Sequence, residues 1–339
     1  MDEDWMRIAI AEGRLGVGLT APNPPVGAVL VKGGKVIGKG WHRRAGQPHA
    51  EVEALRDAAA NGQDPAGATA YVTLEPCSTV GRTPACTSGL TQAGVKRVVW
   101  SCEDPNPAHA GRAHEVLRAA GIETLSGVLE EEGKHLIRAF AMVQRVGRPW
   151  VMVKTAMSLD GRITRPPGEG QWLTGPEARA EVQVLRGEVD AILTSGRTAR
   201  ADNPQLTYRG ERAEKKQPLR LVVSRREKAG LESSAYLLAD EFAGLTRFLE
   251  GSLRDSLKEL AVEGVQSILV EAGGELVGHL FDEGLVDEYV AYFAPMVCGG
   301  SDCGVGGRGA ASLGDTVKLD RVEYARVGED VRVRGLVRR

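Results

Sequence analysis

Three residues with metal-binding side chains, His49, Cys77 and Cys86, lie in the first third of this 339-residue chain. One imidazole and two thiolates supply three ligands of a tetrahedral zinc ion and leave the fourth position for water. Zinc lowers the pKa of such a water to about 7, so that hydroxide is available at neutral pH. These residue types therefore predict a hydrolytic zinc centre.

Glu51 follows His49 in the segment His49-Ala50-Glu51 and is the candidate for proton transfer. Inside a helix these two side chains would point apart, but they can converge if Pro48 and His49 lie at a loop-to-helix entrance. We expect Glu51 to be catalytic and to move protons without binding the metal. H-x-E followed by P-C-x-x-C is the pattern of zinc nucleobase deaminases, and here the spacing between Cys77 and Cys86 is longer.

Each of these residues also has an ordinary explanation. His49 could be a surface or core histidine, and the two cysteines could be buried apolar residues. A purely structural zinc ion would need a fourth Cys or His, for which His42 is the nearest spare histidine. We favour the catalytic hypothesis because a structural ion leaves Glu51 without a role.

The surrounding sequence resembles the deaminase half of the bifunctional riboflavin biosynthesis proteins. The matching segments are Glu75-Pro76-Cys77-Ser78, Gly81-Arg82-Thr83-Pro84, Cys86, Ala21-Pro22-Asn23-Pro24-Pro25-Val26-Gly27 and Asp104-Pro105-Asn106-Pro107. The resemblance implies that the amide of Asn23 binds the pyrimidine, although an Asn before Pro would by itself indicate a turn. Thr79 and Val80 depart from the family, which usually carries His and an aromatic residue there.

Composition limits the class of protein. Apolar residues make up 42% and charged residues 26% of the chain, which is typical of a globular protein. A net charge of −2 argues against a nucleic-acid partner, and no apolar run is long enough to cross a membrane. The acidic start of the chain lacks the features of a signal peptide, and Cys102, Cys298 and Cys303 read as free thiols, so we expect a cytoplasmic protein.

Alternating strand and helix patterns predict two α/β domains that meet near residue 147, at Gly147-Arg148-Pro149. In 1–147 we expect a mixed sheet with a hairpin, a helix that follows His49, a strand over 68–74 that leads into Glu75, and a long helix over 129–146. In 148–339 we expect repeated strand–helix units. The segment Thr174-Gly175-Pro176-Glu177 predicts a capping box with Thr174 as N-cap.

The second half resembles the reductase half of the same family, whose fold is similar to dihydrofolate reductase. The matching segments are Ser158-Leu159-Asp160-Gly161, Ala201-Asp202-Asn203-Pro204 and Val270-Glu271-Ala272-Gly273-Gly274. Lys154 and Glu271 end apolar strands, where a charged side chain is costly to bury unless it is used or paired. We therefore expect both residues to be catalytic.

The resemblance implies positions for two ligands. NADPH would lie against Met157, Trp172, Thr198, Asp202, Ser224, Gly273 and Gly274. The ribosyl-phosphate substrate would meet Gly170, Arg186, Leu206, Arg209 and Glu271. Ordinary alternatives are core packing for Trp172, a helix-end charge for Arg186 and a turn for Asp202. From spacing alone, Arg197, Arg225 and Arg226 could bind the 2′-phosphate of NADPH.

The sequence thus predicts a cytidine-deaminase-like α/β sandwich at 1–147 and a dihydrofolate-reductase-like α/β domain at 148–339. The implied activity is zinc-dependent deamination of a phosphoribosylated pyrimidine, followed by NADPH-dependent reduction of its ribosyl arm. We expect a homo-oligomer, a dimer or a tetramer. The alternatives are a single-activity zinc deaminase with a non-catalytic second domain, and a zinc-stabilised nucleotide-binding module without turnover.

Overall fold

Two β-sheets, each lying between layers of helices, form the fold. The computed structural model describes residues 1–79, 85–107, 109–163 and 172–338. The chain divides into the units Met1–Gly147 and Arg148–Arg339, with one sheet in each. Both units are therefore α/β, as the sequence predicts.

The first sheet has the strand order β2-β1-β3-β4-β5. Its strands are β1 (Gly27–Lys32), β2 (Lys35–Trp41), β3 (Thr69–Leu74), β4 (Arg97–Cys102) and β5 (Glu123–Leu125). β1 pairs antiparallel with β2 and β3, whereas β3, β4 and β5 run parallel. The sheet is mixed, as the sequence predicts.

Within the described residues of 1–147, six helices cover this sheet. They are α1 (Asp2–Arg14), α2 (Ala50–Ala60), α3 (Cys86–Gln92), α4 (Arg112–Ala119), α5 (Glu130–Leu136) and α6 (Arg138–Val146). Strand residues alternate between two cores: Ala70 and Val72 pack in the cluster with α2, whereas Tyr71 packs in the cluster with α1. This period of two is what places helices on both faces of the sheet.

The second sheet has the strand order β12-β13-β11-β6-β10-β7-β8-β9. Its strands are β6 (Trp150–Ser158), β7 (Ala191–Ser195), β8 (Leu219–Val223), β9 (Thr246–Leu249), β10 (Ser267–Val270), β11 (Glu288–Ala294), β12 (Leu319–Val327) and β13 (Asp330–Val337). The six strands from β11 to β9 run parallel, and β13 and β12 extend the sheet antiparallel. The carboxyl ends of these parallel strands lie along one edge of the sheet, so the candidate residues that follow β7, β8 and β10 lie along the same edge.

The helices of the second unit lie on both faces of its sheet. They are α7 (Pro176–Glu188), α8 (Gly196–Asp202), α9 (Tyr236–Ala239), α10 (Leu253–Val262) and α11 (Gly274–Asp282). Leu257 and Val277 belong to the core on one face, and Val182 and Leu237 belong to the core on the other. No helix in the described parts of the chain is long and apolar enough to cross a membrane.

Three local predictions are wrong. Lys154 does not end a strand, because β6 continues past it to Ser158. The N-cap of α7 is Gly175, not Thr174, because the Gly175 N–H binds the Asp330 carboxylate at 2.8 Å and holds that residue extended. The predicted long helix over 129–146 is two helices, α5 and α6, separated at Ile137. Ile137 packs with Leu74 and Cys102, so core packing there overrides continuous helix geometry.

Candidate active sites

Two strand glycines fix the position of α2, whose entrance carries His49 and Glu51. A Cβ built on Gly40 would lie 2.5 Å from the Ala54 backbone nitrogen, and one built on Gly38 would overlap the Ala54 carbonyl oxygen. Helix α2 therefore lies directly against the backbone of β2. Since Ala54 is fully buried, this contact leaves no room for a side chain between helix and strand.

His49 is the N-cap of α2 and has extended backbone angles, φ −73° and ψ 163°. The predicted position of His49 at the helix entrance is thus confirmed. Its Nδ1 lies 3.2 Å from Cys86 Sγ and 3.6 Å from Cys77 Sγ. The three ligand atoms all lie within 4.8 Å of one another. In a tetrahedron with bonds of 2.0–2.3 Å, ligand atoms are roughly 3.3–3.8 Å apart, so the set fits a zinc ion.

The two thiols support the same conclusion. A shared hydrogen bond with Cys86 lowers the pKa of Cys77 to about 4, and the same contact together with burial raises the pKa of Cys86. Without a cation, only one thiol of such a close pair ionises readily. A divalent ion removes this conflict because it stabilises both thiolates. These residues would therefore hold zinc.

The Glu51 carboxyl group is buried beside the metal ligands. It lies in hydrogen-bonding contact with the Cys86 thiol, and burial raises its pKa. A buried carboxyl group with a raised pKa suits general acid–base catalysis. Among the described residues no fourth Cys, His or carboxylate joins the metal-binding group, which argues against a purely structural ion.

His42, the spare histidine of the sequence, contacts Pro48 and Asn23 in the structure. Its Nδ1 lies 2.9 Å from the Pro48 carbonyl oxygen, which can only accept, so Nδ1 carries the proton. Nε2 then accepts a hydrogen bond from Asn23 Nδ2 at 3.0 Å. The ring is buried and packs edge-on against His49, with centroids 5.4 Å apart. His42 thus holds Asn23 beside the metal-binding group, a role that sequence spacing could not reveal.

In the second unit, Lys154, Arg186 and Glu271 come together. Arg186 binds Glu271 through two hydrogen bonds of 2.6 and 3.0 Å, and a third bond reaches the Thr207 carbonyl oxygen at 2.9 Å. Burial would raise the pKa of Glu271, but the charge of Arg186 and then that of Lys154 lower it. Arg186 therefore stabilises the ionised carboxylate, and its guanidinium is more than a helix-end charge.

Lys154 supplies an amine to this group. It projects from β6, and burial lowers the pKa of its ammonium group, opposed by the charge of Glu271. No hydrogen bond of its amine is found within the described ranges of the chain. An amine held near a carboxylate in this way is typical of a residue that transfers a proton or binds an anionic ligand.

Arg209 and Leu206 lie in the loop after α8. The Arg209 guanidinium donates to Gln205 Oε1 at 2.9 Å and to Thr207 Oγ1 at 2.8 Å. Leu206 is buried and has a positive φ of 51°, so the surrounding structure holds its backbone in a strained conformation. Both residues border the Arg186 contact with Thr207.

The predicted cofactor residues divide into two groups. Thr198 and Gly273 are in contact, since the Gly273 N–H donates to Thr198 Oγ1 at 3.0 Å. Gly274 and Met157 instead pack against the chain itself: a Cβ on Gly274 would overlap the Cys303 carbonyl oxygen, and the Met157 sulfur fills the space beside Gly304. Close packing is therefore sufficient to explain the glycine at 274.

Ser224 and Asp202 lie at the ends of elements near α8. Ser224 follows β8 and its hydroxyl accepts the Arg226 N–H at 3.0 Å, beside Gly196 at the start of α8. Asp202 is the last residue of α8, and burial raises its pKa. Gly170 falls outside the described residues.

Trp172 and the three additional arginines are exposed. The Trp172 side chain is 57% exposed, so the core-packing alternative is wrong; it contacts Arg179, whose guanidinium carbon lies 5.6 Å from the ring centroid. Trp172 lines a groove of about 650 Å³, whose described lining residues do not include Thr198, Ser224 or Gly273. A guanidinium nitrogen of Arg197 lies 3.7 Å from a carboxylate oxygen of Glu275, and the side chains of Arg225 and Arg226 are also at the surface.

Comparison with known proteins identifies both units. Residues 1–102 match the cytidine and deoxycytidylate deaminase zinc-binding region, and residues 149–333 match the RibD C-terminal domain. The riboflavin biosynthesis protein RibD of Escherichia coli K12 is 39% identical over 97% of this chain and 98% of its own. The chain belongs to the RibD family. It is therefore a bifunctional enzyme of riboflavin biosynthesis, with a deaminase unit and a reductase unit.

Solved structures of family members have the same fold. The structure of Acinetobacter baumannii RibD is 37% identical, with a TM-score of 0.88 over 100% of this chain and 99% of that chain. A diaminohydroxyphosphoribosylaminopyrimidine deaminase/5-amino-6-(5-phosphoribosylamino)uracil reductase from Thermotoga maritima is 32% identical, with a TM-score of 0.88 over 99% of both chains. The two-domain fold predicted from the sequence is confirmed, as are zinc and a nucleotide as the classes of cofactor.

Proposed function

We propose that this chain deaminates 2,5-diamino-6-ribosylamino-4(3H)-pyrimidinone 5′-phosphate and then reduces the ribosyl arm of the product with NADPH. The observation that carries the proposal is the group formed by His49, Cys77 and Cys86, with Glu51 buried beside it. The name of the Thermotoga maritima relative describes the same pair of reactions.

Glu51 and Asn23 would divide the work of the first reaction. When bound, zinc supplies water activated for attack at neutral pH. Glu51 accepts a proton from the attacking water and delivers it to the adjacent ring nitrogen. It then moves the remaining hydroxyl proton to the ring amine, which leaves as ammonia as the C–N bond breaks and the carbonyl forms. Asn23, whose Nδ2 is held by His42, directs its amide oxygen toward a donor of the pyrimidine. Burial raises the pKa of Glu51, which suits a group that must gain and lose a proton.

Lys154 and Glu271 would act in the second reaction. The nicotinamide supplies the hydride that reduces C1′ of the ribosyl arm, while the protein positions the reactants. Lys154 donates the proton that the reduced arm requires, and Glu271 keeps the ammonium group near the reacting atoms by its charge. Arg186 fixes Glu271 through two hydrogen bonds, so the carboxylate cannot rotate away.

NADPH is the cofactor that we propose, and the edge formed by Thr198 and Gly273 supports a nucleotide there. Gly273 is the N-cap of α11, and the N-terminus of a helix favours the negative charge of a phosphate group. Arg197 follows β7 and is exposed at the same end of the sheet, where its charge could distinguish the 2′-phosphate. Parallel binding measurements with NADPH and NADH on Arg197→Ala test this preference.

A homo-oligomer is also part of the proposal, and an open face of the second sheet supports it. Tyr324 is 75% exposed and Val331 is 41% exposed. Tyr324 pairs with Val333 of the neighbouring strand β13. Val331 lies two residues before Val333 on β13, so Tyr324 and Val331 are on the same face of the sheet. An apolar face at the end of a sheet is typical of a subunit interface. Light scattering of Tyr324→Glu should show a smaller assembly than that of the unaltered chain.

The decisive test follows ammonia release and NADPH oxidation with the ribosylated pyrimidine. The proposal requires both signals in that order, whereas a deaminase with a non-catalytic second domain gives only ammonia and a binding module gives neither. Glu51→Gln should lower the deamination rate by about 10²–10⁴-fold with zinc content unchanged. Ammonia release that survives this substitution would show that Glu51 is not the proton carrier.

A further inference from the structure

Two loops leave the first sheet side by side near the metal-binding group. Strands β3 and β4 are parallel, with Leu74 paired to Cys102, and the Glu75 N–H donates to the Cys102 carbonyl oxygen at 2.9 Å. The loop after β3 carries Cys77 and Thr79, and the loop after β4 includes the described residues 103–107 and 109–111. Because both loops start at the same sheet edge, residues of the second can reach a ligand held by the first.

The Glu75 carboxylate ties these loops together. It is buried, and it accepts N–H groups from Asp104 at 3.3 Å, from Gly111 at 3.0 Å and from Ala113 at 3.0 Å. Three hydrogen bonds to one buried carboxylate fix the backbone at both ends of the second loop. Inside that loop, the Asp104 side chain accepts the Asn106 N–H at 2.8 Å. The loop is therefore held against the segment that carries Cys77.

His109 faces the deaminase site from the second loop. Its Nδ1 lies 3.1 Å from the hydroxyl oxygen of Thr79, two residues beyond Cys77. When the Thr79 hydroxyl donates to Nδ1, the ring proton lies on Nε2. No hydrogen bond to Nε2 is found within the described ranges of the chain, and the side chain is partly exposed. With Nδ1 accepting from Thr79, the imidazole presents its Nε2–H as a donor near the metal-binding group.

We propose that His109 Nε2 donates a hydrogen bond to the phosphate of the substrate's ribose arm, and that Thr79 orients the ring. This inference rests on the proposed deamination of a ribosylated pyrimidine. With the base at His49, Cys77 and Cys86, the arm must extend from the metal-binding group toward solvent, and the loop after β4 borders that group. A phosphate oxygen is a charged acceptor and gains more from one N–H donor than a ribose hydroxyl does.

The test compares the phosphorylated substrate with its dephosphorylated form. His109→Ala should raise KM for the phosphorylated substrate by about tenfold, leave kcat within about twofold, and leave KM for the dephosphorylated form unchanged. His109→Gln should restore most of the affinity because its amide nitrogen reaches the position of Nε2. Thr79→Val should give an intermediate KM, and Thr79→Ser should match the unaltered chain.

Two results would overturn the contact: an equal rise in KM for both substrates, or a fall in kcat with KM unchanged. Zinc content and reductase rate in the same preparations report folding. Calorimetry with ribose 5-phosphate on the zinc-loaded chain needs no turnover, so it separates this contact from the proposed reaction. We expect the calorimetric signal of one bound ribose 5-phosphate to disappear in His109→Ala and to remain in Glu51→Gln. If His109→Ala keeps this signal, the contact is refuted, whether or not ammonia is released.

Discussion

Replacing Gly40 by Ala tests whether close packing of α2 on β2 sets the deaminase geometry. The new Cβ would lie 2.5 Å from the Ala54 nitrogen, whereas ordinary contacts begin at 3.4 Å, so strand and helix must separate by about 0.9 Å. Because His49 and Glu51 lie at the start of α2, this displacement moves a metal ligand and the proton carrier relative to Cys77 and Cys86.

A displacement of about 1 Å in catalytic geometry can cost about 10²-fold in rate. We therefore expect Gly40→Ala to lower kcat/KM for ammonia release by about 100-fold and to weaken zinc binding. Overpacking should also lower the free energy of unfolding of the deaminase unit by about 1–3 kcal/mol. The assays are ammonia release, zinc content after dialysis and urea unfolding, with NADPH oxidation as the measure of the second unit.

Gly89→Ala is the matched control. Gly89 lies in α3, three residues after the ligand Cys86, and a Cβ built there meets nothing within 4 Å. Both activities should therefore be unchanged, with stability equal or slightly higher, because Ala favours a helix interior over Gly. If Gly40→Ala keeps full zinc binding and full deaminase activity, the glycine contact does not determine the site, and the reasoning is wrong.

Glu271→Gln leaves the Arg186 guanidinium without its charged partner, and the Arg186 side chain is only 10% exposed. The free energy of unfolding of the reductase unit, measured with urea, should therefore fall by about 3–5 kcal/mol. A change under about 1 kcal/mol would contradict this. Burial lowers the pKa of Lys154 below the usual 10.5. The reductase rate should therefore fall as the pH rises through the lowered pKa and the amine loses its proton. Lys154→Arg should abolish this fall, because the guanidinium stays protonated. His42→Phe should raise KM for the pyrimidine several-fold because Asn23 loses its hydrogen-bond acceptor, and the zinc content reports whether losing the bond to the Pro48 carbonyl also displaces His49. An unchanged KM would show that Asn23 needs no support.

The sequence was sufficient to identify the zinc chemistry because ligand type is a property of single residues. An imidazole and two thiolates can do few other things together, and a Pro before His49 favours a helix entrance there. Strand β3 ends at Leu74, as its apolar pattern predicts, since the period of side-chain alternation is local. The same reasoning failed at Thr174, where Asp330 from a distant hairpin holds Gly175 extended.

Only the tertiary structure decided which side chains support the ligands and candidate catalytic groups. The hydrogen bonds from Asn23 to His42, from Thr79 to His109 and from Arg186 to Glu271 join residues 19, 30 and 85 positions apart. Such pairs depend on how closely helices and loops pack on the sheet. That packing is set by small contacts such as Gly40 against Ala54, about which the periodicity of the chain carries no information.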